Sequence, residues 1–398
     1  MEKMKKGTPL LLAGLGLIIF WLLAVYSVSI YESFTLTKNP ANWFSEITNY
    51  FYFFKQIKVL FVSLIVALVL RKIPFKWIKN HTFSIVALIL WWIIQVLVFI
   101  PWIAIEGKNG AGLNGAYGRI NIFWYSLQPV EIFKLAYVIF LASRIVRKKN
   151  EITKPWFILF FIIINALLYA ILLFVPDFWS ILIMGWTALL MIWFAWLSLK
   201  KTASILFLWL WAGIVAGFSL YLINPNLNYI QRRFSNFFSS DKKENQQTVQ
   251  RQNDQAMLAI GWWGFLGQGL GKGLQKFWNI PEAQSDFVFA AFSEEIGFLG
   301  NMILLGLYIF IFRYSLKHIQ SLKDYHSKML GIGILSILMI QTFVHIGVNI
   351  QIIPNTGVTL PFVSSWGTSL LISCIELMLL YKIIRSEEIE DTLPLKLN

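Results

Sequence analysis

Apolar runs of about twenty residues alternate with short polar segments along nearly the whole chain. Each run is long enough to cross the ~30 Å hydrocarbon core of a bilayer as a helix. Ten spans are predicted: Pro9–Ile30, Tyr50–Leu70, Thr82–Ile105, Leu127–Ser143, Trp156–Val175, Phe178–Leu197, Thr202–Ile223, Asp286–Phe312, Met329–Ile350 and Ser364–Ile384. No small-residue cleavage site follows the first, so it reads as a retained span rather than a signal peptide. One polar segment stands out by length, Asn224–Ser285, between spans seven and eight. The expected fold class is all-α. It is a polytopic membrane protein with ten transmembrane helices, one long extracytoplasmic loop (224–285) and a short charged tail (385–398), forming a single domain over residues 1–398.

Composition agrees with that pattern. The chain is 57% hydrophobic and 14% charged, about half the charge of an ordinary soluble domain. The net charge of +14 raises nucleic acid as a partner, but the cations sit mostly between spans, where topology places them. Segments on the side of both termini hold 21 lysines and arginines against 12 on the other, with Lys134 inside a span. Cations favour the cytoplasmic side, so both termini are expected there and the long loop outside. The single cysteine, Cys374, lies in an apolar run, which excludes an intrachain disulfide and a cysteine-rich metal site.

Charged side chains inside a bilayer are costly and mark function or a locked ion pair. In LQPVEIFKLA, Gln128, Glu131 and Lys134 are three apart and share one helix face. Lys134 is expected to face a phosphate or a carboxylate partner. Asp177 follows Pro176 at an outer turn, where it fits either a helix N-cap or a site residue. Arg232 and Arg233 begin the long loop as a pair suited to phosphate or to lipid headgroups.

The densest concentration of chemistry lies between Gly261 and Gly300. Its six glycines between Gly261 and Gly273 match neither a P-loop nor a dinucleotide fingerprint. Irregular backbone at membrane depth must be buried or line a wet cavity, so a re-entrant or interfacial segment carrying Lys272 and Lys276 is expected. Glu282 and Asp286 follow, four apart, at the return to the membrane. A carboxylate at such a boundary can act as a general base, or Ser285 or Asp286 can simply cap the next helix. Glu294 falls about 12 Å further along that helix and needs a partner, for which Lys134 is the candidate. Hydroxyls at Ser364, Ser365, Thr368 and Ser369 suit either a sugar or phosphate or the helix backbone. His345 reads as a packing histidine, since no second histidine lies near it in sequence.

Four segments in order carry a family resemblance: QPVEIFKLA, VPDFWS, AIGWWGFLGQGLGKGLQKFWNIPEAQSDFVFAAFSEEIGFLG and GVNIQIIPNTGVTLPFVSSWGTSLL. Together they resemble the SEDS family (shape, elongation, division, sporulation), the FtsW/RodA/SpoVE group, and the LQK and PEA elements resemble the FtsW/SpoVE branch more than RodA. The resemblance implies an inverting glycosyltransferase that polymerises lipid II at the outer face of the bacterial cytoplasmic membrane, in division, elongation or sporulation. It implies a class B penicillin-binding protein and other divisome or elongasome membrane proteins as partners. The essential aspartate of the family falls on Asp286, and its other motif residues fall on Glu131, Lys134, Asp177 and Ser364. Departures are AYGRIN before the fourth span, with Arg119 its arginine, Trp263-Gly264, Trp366-Gly367 and Gln250-Arg251-Gln252.

For such a substrate, Asp286 would deprotonate the acceptor 4-hydroxyl, and positive charge would receive the leaving pyrophosphate. The candidates for that charge are Lys134, Arg119, Lys272 and the Arg232/Arg233 pair, with a divalent cation such as Mg2+ or Mn2+ as a further candidate. Glu131 and Asp177 would orient the cations, and Lys276, Glu282 and Ser364 complete the expected substrate-binding set. The competing readings are a lipid-linked precursor flippase or transporter, for which Glu131, Lys134 and Glu294 would line a pathway, and a non-catalytic division scaffold.

Overall fold

The computed structural model describes residues 6–31, 33–34, 50–97, 120–122, 125–152, 154–174, 177–195, 247–261, 264–278 and 283–392. Its helices are α1 (Thr8–Val28), α2 (Phe51–Lys72), α3 (Phe75–Ile78), α4 (His81–Leu97), α5 (Pro129–Arg147), α6 (Pro155–Phe174), α7 (Phe178–Phe194), α8 (Gln247–Gly261), α9 (Gln275–Trp278), α10 (Val288–Ser321), α11 (Tyr325–Asn349) and α12 (Gly367–Thr392). Among the described residues five helices are long and apolar enough to cross a bilayer: α1, α2, α10, α11 and the Gly367–Ser386 part of α12. Shorter apolar helices cover parts of the predicted third, fifth and sixth spans. The predicted seventh span lies outside the described residues.

Strictly all-α is an overstatement. A two-stranded antiparallel hairpin, β1 (Ile120–Ile122) and β2 (Tyr125–Leu127), pairs Ile120 with Leu127 just before α5. Its short β-branched and aromatic strands were hidden in sequence by the Gly/Asn-rich stretch before them. Pro129 then opens α5 where its missing N–H costs nothing.

Burial follows a membrane rule rather than a soluble one. On α2 the buried residues are Gln56, Val59, Ser63 and Ala67, a narrow stripe of small and polar side chains at helical spacing. Phe54, Phe61 and Leu68 point outward instead. Lipid tails are as apolar as leucine, so close packing and hydrogen bonding select the interior face. That stripe packs along α12. The centre belongs to α5, which is buried along most of its length and packs against α4, α7, α11 and α12. Enclosure on all sides is what allows this helix to carry Glu131 and Lys134 without exposing them to lipid.

The basic ends gather at one end of the bundle. Lys79 meets Asp324 at 2.6 Å, and Lys149 lies 4.5 Å from the Tyr325 ring. Lys382 donates to the carbonyls of Leu70 (2.9 Å) and Ile73. Asp324 caps α11 through the Ser327 N–H (3.0 Å). Burial pushes the Asp324 carboxyl up, but the Lys79 ammonium and the Ser327 hydroxyl and N–H outweigh it and hold it at about 2. The folded chain therefore favours the charged form. The contribution is complete above the unfolded value of ~4 and is lost as pH falls towards the folded value. Asp324→Asn is expected to flatten the loss of thermal stability between about pH 5 and about pH 2.5 in detergent. Parallel wild-type and variant curves would count against this pair as an acid-sensitive contact.

Candidate active site

At the opposite end, the starts of α5, α7, α10 and α12 meet the end of α11. Lys134 is 2% exposed and donates to Glu131 (2.8 Å) and to the side-chain oxygen of Gln341 on α11 (3.1 Å). The Gln341 amide passes the connection on to the Thr359 hydroxyl (3.0 Å), which shares a hydrogen bond with Ser369 (2.8 Å). Glu376 on α12, also buried, is within electrostatic range of Lys134 and Glu131. Asp177 takes the N-cap position of α7, accepting from the Ser180 N–H (3.1 Å) and hydroxyl (2.8 Å). Burial pushes its carboxyl up, and Ser180 and the Lys134 ammonium pull against that. Asp177 is thus an N-cap, and it shares the electrostatic environment of the α5 pair.

Asp286 is half-buried one residue before the cap of α10. Two elements fix the backbone of residues 284–286, and α2 braces one of them. Asn349, the last residue of α11, donates to the Asp286 carbonyl (3.1 Å) and accepts the Ala290 N–H (3.0 Å). The Ser364 hydroxyl donates to the Ser285 carbonyl (2.8 Å), and the Ser365 N–H to that of Gln284 (3.0 Å). The Gln56 amide of α2 in turn donates to the Ser365 carbonyl. The Asp286 carboxylate faces Gly357, where an added Cβ would stand 3.6 Å from Oδ2. Gly357 has φ +69°, a conformation that favours glycine. His345 holds this loop, its Nδ1 lying 2.7 Å from the Val358 carbonyl, so it does pack, and with a directed contact. The segment 356–360 therefore carries both Gly357, which the Asp286 carboxylate faces, and Thr359, which bonds into the Lys134 network. Ser364 supports loop backbone, since its hydroxyl also accepts the Leu360 N–H (2.8 Å).

The glycine-rich stretch enters α10 itself. Gly297 has φ +67° and ψ −169°, and it breaks the helix. In an unbroken helix the N–H groups of Phe298 and Leu299 would donate to Glu294 and Glu295. Here they donate to Gly264 (3.0 Å) and Phe265 (3.1 Å), while the carbonyls of Glu294 and Glu295 accept from Gln268 (3.0 Å) and Gly269 (3.1 Å). Two helical bonds are exchanged for four bonds to an inserted loop. The two carboxylates complete the splice. Glu294 accepts the N–H groups of Leu274 (2.9 Å) and Gln275 (3.1 Å). Glu295 accepts from Gly271 (3.0 Å), from the Ser27 hydroxyl of α1 and from Lys276 (2.5 Å). The expected pairing of Glu294 with Lys134 is therefore corrected: each is satisfied nearer home, Glu294 by backbone donors and Lys134 by Glu131. Lys276 is likewise corrected, because its ammonium is fully buried against Glu295 and Ser27 rather than offered to a substrate. Lys272 is exposed.

The family model for the cell cycle proteins FtsW, RodA and SpoVE matches residues 8–389. The chain belongs to the FtsW/RodA/SpoVE family. The probable peptidoglycan glycosyltransferase FtsW of Saccharophagus degradans is 31% identical over 346 residues, covering 84% of this chain and 83% of its own. Stage V sporulation protein E of Bacillus subtilis is 30% identical over 372 residues, covering 92% and 94%. Among solved structures, a chain from a peptidoglycan synthase complex, described as coordinating polymerization and crosslinking, superposes with TM-score 0.71 at 19% identity over 95% of this chain and 97% of its own. The rod shape determining protein RodA of Thermus thermophilus gives 0.63 at 19% identity over 95% and 96%. At that identity the two structures establish a shared fold, and the relatives in sequence place the chain in the FtsW/SpoVE branch.

Of the residues expected at the site of this FtsW/RodA/SpoVE member, Arg119, Arg232, Arg233 and Glu282 lie outside the described residues. Among the described residues no group of three His, Cys, Asp or Glu side chains is arranged to hold a metal ion. Gln341, Asn349 and Glu376 were not anticipated. Glu376 had a legible signal, a carboxylate inside an apolar run. The two amides had none, since their role is set by which loop they reach.

Proposed function

We propose that this chain is a peptidoglycan glycosyltransferase that polymerises lipid II at the outer face of the bacterial cytoplasmic membrane, with Asp286 as general base. The observation that carries this is the Asp286 carboxylate, half-buried and backbone-anchored from α11 and the segment before α12, facing a loop that also holds the Lys134 network. A base must be held in place while its proton acceptor stays accessible. Asp286 takes the proton of the acceptor 4-hydroxyl, the oxygen bonds to the donor sugar's anomeric carbon, and the bond to the pyrophosphate oxygen breaks with inversion. The pyrophosphate leaves with the electron pair. Lys272, Arg119, Arg232 and Arg233 are the cations assigned to it. Glu131, Lys134 and Asp177 act as a buried set that fixes the floor of the site, Lys134 being neutralised within it.

Ten spans, the 224–285 loop outside and both termini in the cytoplasm complete the reading, supported by the excess of cations at the end away from Asp286. A class B penicillin-binding protein and other divisome or elongasome membrane proteins are the proposed partners. Detergent-purified chain given lipid II alone, with no gradient, is expected to produce glycan ladders on a gel. Movement of labelled lipid II across sealed vesicles without any ladder would instead establish a transporter.

A further inference from the structure

The half-helix Val288–Ile296 is nine residues long, too short to hold its own geometry. It is held at two ends. Asn349 grips Asp286 and Ala290 at one, and the splice grips Glu294 and Glu295 at the other. The Lys276–Glu295 pair within the splice is fully buried, with both side chains inaccessible. Desolvation cancels much of the attraction in such a pair, so net stability is a poor reason for it. What it does supply is direction. One carboxylate joins three pieces of chain: Ser27 near the end of α1, Gly271 of the inserted loop, and Lys276 of α9. The Ser27 hydroxyl also accepts from Gly271 (3.0 Å) and Lys276 (2.9 Å), closing the ring.

We propose that Glu295, Ser27 and Lys276 form a clamp of positioning residues that sets the angle of the Val288–Ile296 half-helix, and with it the placement of Asp286, without touching substrate. The inference rests on Asp286 being the base. Were the clamp loosened, the half-helix would tilt on the Asn349 contacts, and the tilt would turn the Asp286 backbone and side chain, which are continuous with its first turn. Small misplacements of a catalytic group cost rate rather than affinity.

Ser27→Ala tests this, because it removes one donor and leaves no buried charge unpaired. Ser27→Thr keeps the hydroxyl and serves as the rescue. In Ser27→Ala, hydrogen exchange at the amides of residues 288–296 is expected to quicken by roughly tenfold, with Tyr325–Asn349 unchanged. Polymerisation kcat per folded molecule is expected to fall about tenfold, with KM for lipid II unchanged, and Ser27→Thr to restore both. Unchanged local exchange overturns the proposal. So does a lower melting temperature with wild-type kcat per folded molecule, which would mark a role in folding alone. If wild-type protein makes no glycan, the polymerase reading fails, and the exchange measurement still decides whether the clamp holds the half-helix.

Discussion

Asp286→Asn is expected to lower glycan polymerisation by at least about 10²-fold while the protein still folds and binds lipid II. The substitution keeps the size and shape of the side chain and removes its negative charge and its capacity to take a proton. The contacts that fix the position are made by backbone groups: the Asp286 carbonyl with Asn349, the Ser285 carbonyl with Ser364, the Gln284 carbonyl with Ser365. None of them changes. Elution from size exclusion and melting temperature should match the wild type, and a loss of ladders then reports chemistry. Undiminished polymer from Asp286→Asn would remove Asp286 from the role of base. Loss of lipid II binding with the fold intact would recast it as a binding residue.

The second large effect is structural. Gly297→Ala and Gly267→Ala should each destabilise the protein by more than about 4 kcal/mol, in the range reserved for severe steric or backbone defects. Gly297 occupies a backbone region open essentially to glycine alone. A Cβ there would fall 2.1 Å from the Gly267 nitrogen, and one on Gly267 would fall 2.2 Å from the Glu295 carbonyl oxygen. Both obstacles are backbone, so neither can swing aside. The inserted loop would have to leave the helix, abandoning four hydrogen bonds and uncovering Glu294, Glu295 and Lys276. Gly306→Ala is the control, since a Cβ there meets nothing within 4 Å and the site is helical. It should be neutral or slightly stabilising. Poor recovery and an early melting transition for the first two, with a wild-type profile for the third, is the expected pattern. A wild-type profile for Gly297→Ala would mean that the helix break is not obligatory.

Much of the site was visible in the chain because charge inside a membrane is conspicuous. Glu131 and Lys134, three apart on one helix, were bound to lie on a common face, and they pair with each other. Asp177 after a proline was bound to suit an N-cap, and it is one. The same logic failed for Glu294. It correctly demanded a partner, and it supplied the wrong one, because a sequence shows which cations exist and not which backbone N–H groups will be left over when a loop enters a helix. Lys276 was misassigned for the matching reason: its carboxylate partner is 19 residues away along the chain and adjacent only through the splice.

By itself the sequence determined a helical membrane protein and the residues too costly to bury without purpose. Those follow from local quantities, namely run length, hydropathy and charge, that do not depend on what packs against what. Tertiary structure alone decided that α5 is the enclosed central helix, that one loop carries both Gly357, facing Asp286, and Thr359 of the Lys134 network, and that a glycine loop replaces two bonds inside α10. In a membrane, apolarity does not say which face turns inward, and a backbone hydrogen bond carries no side-chain signature, so such choices are settled only when the segments meet.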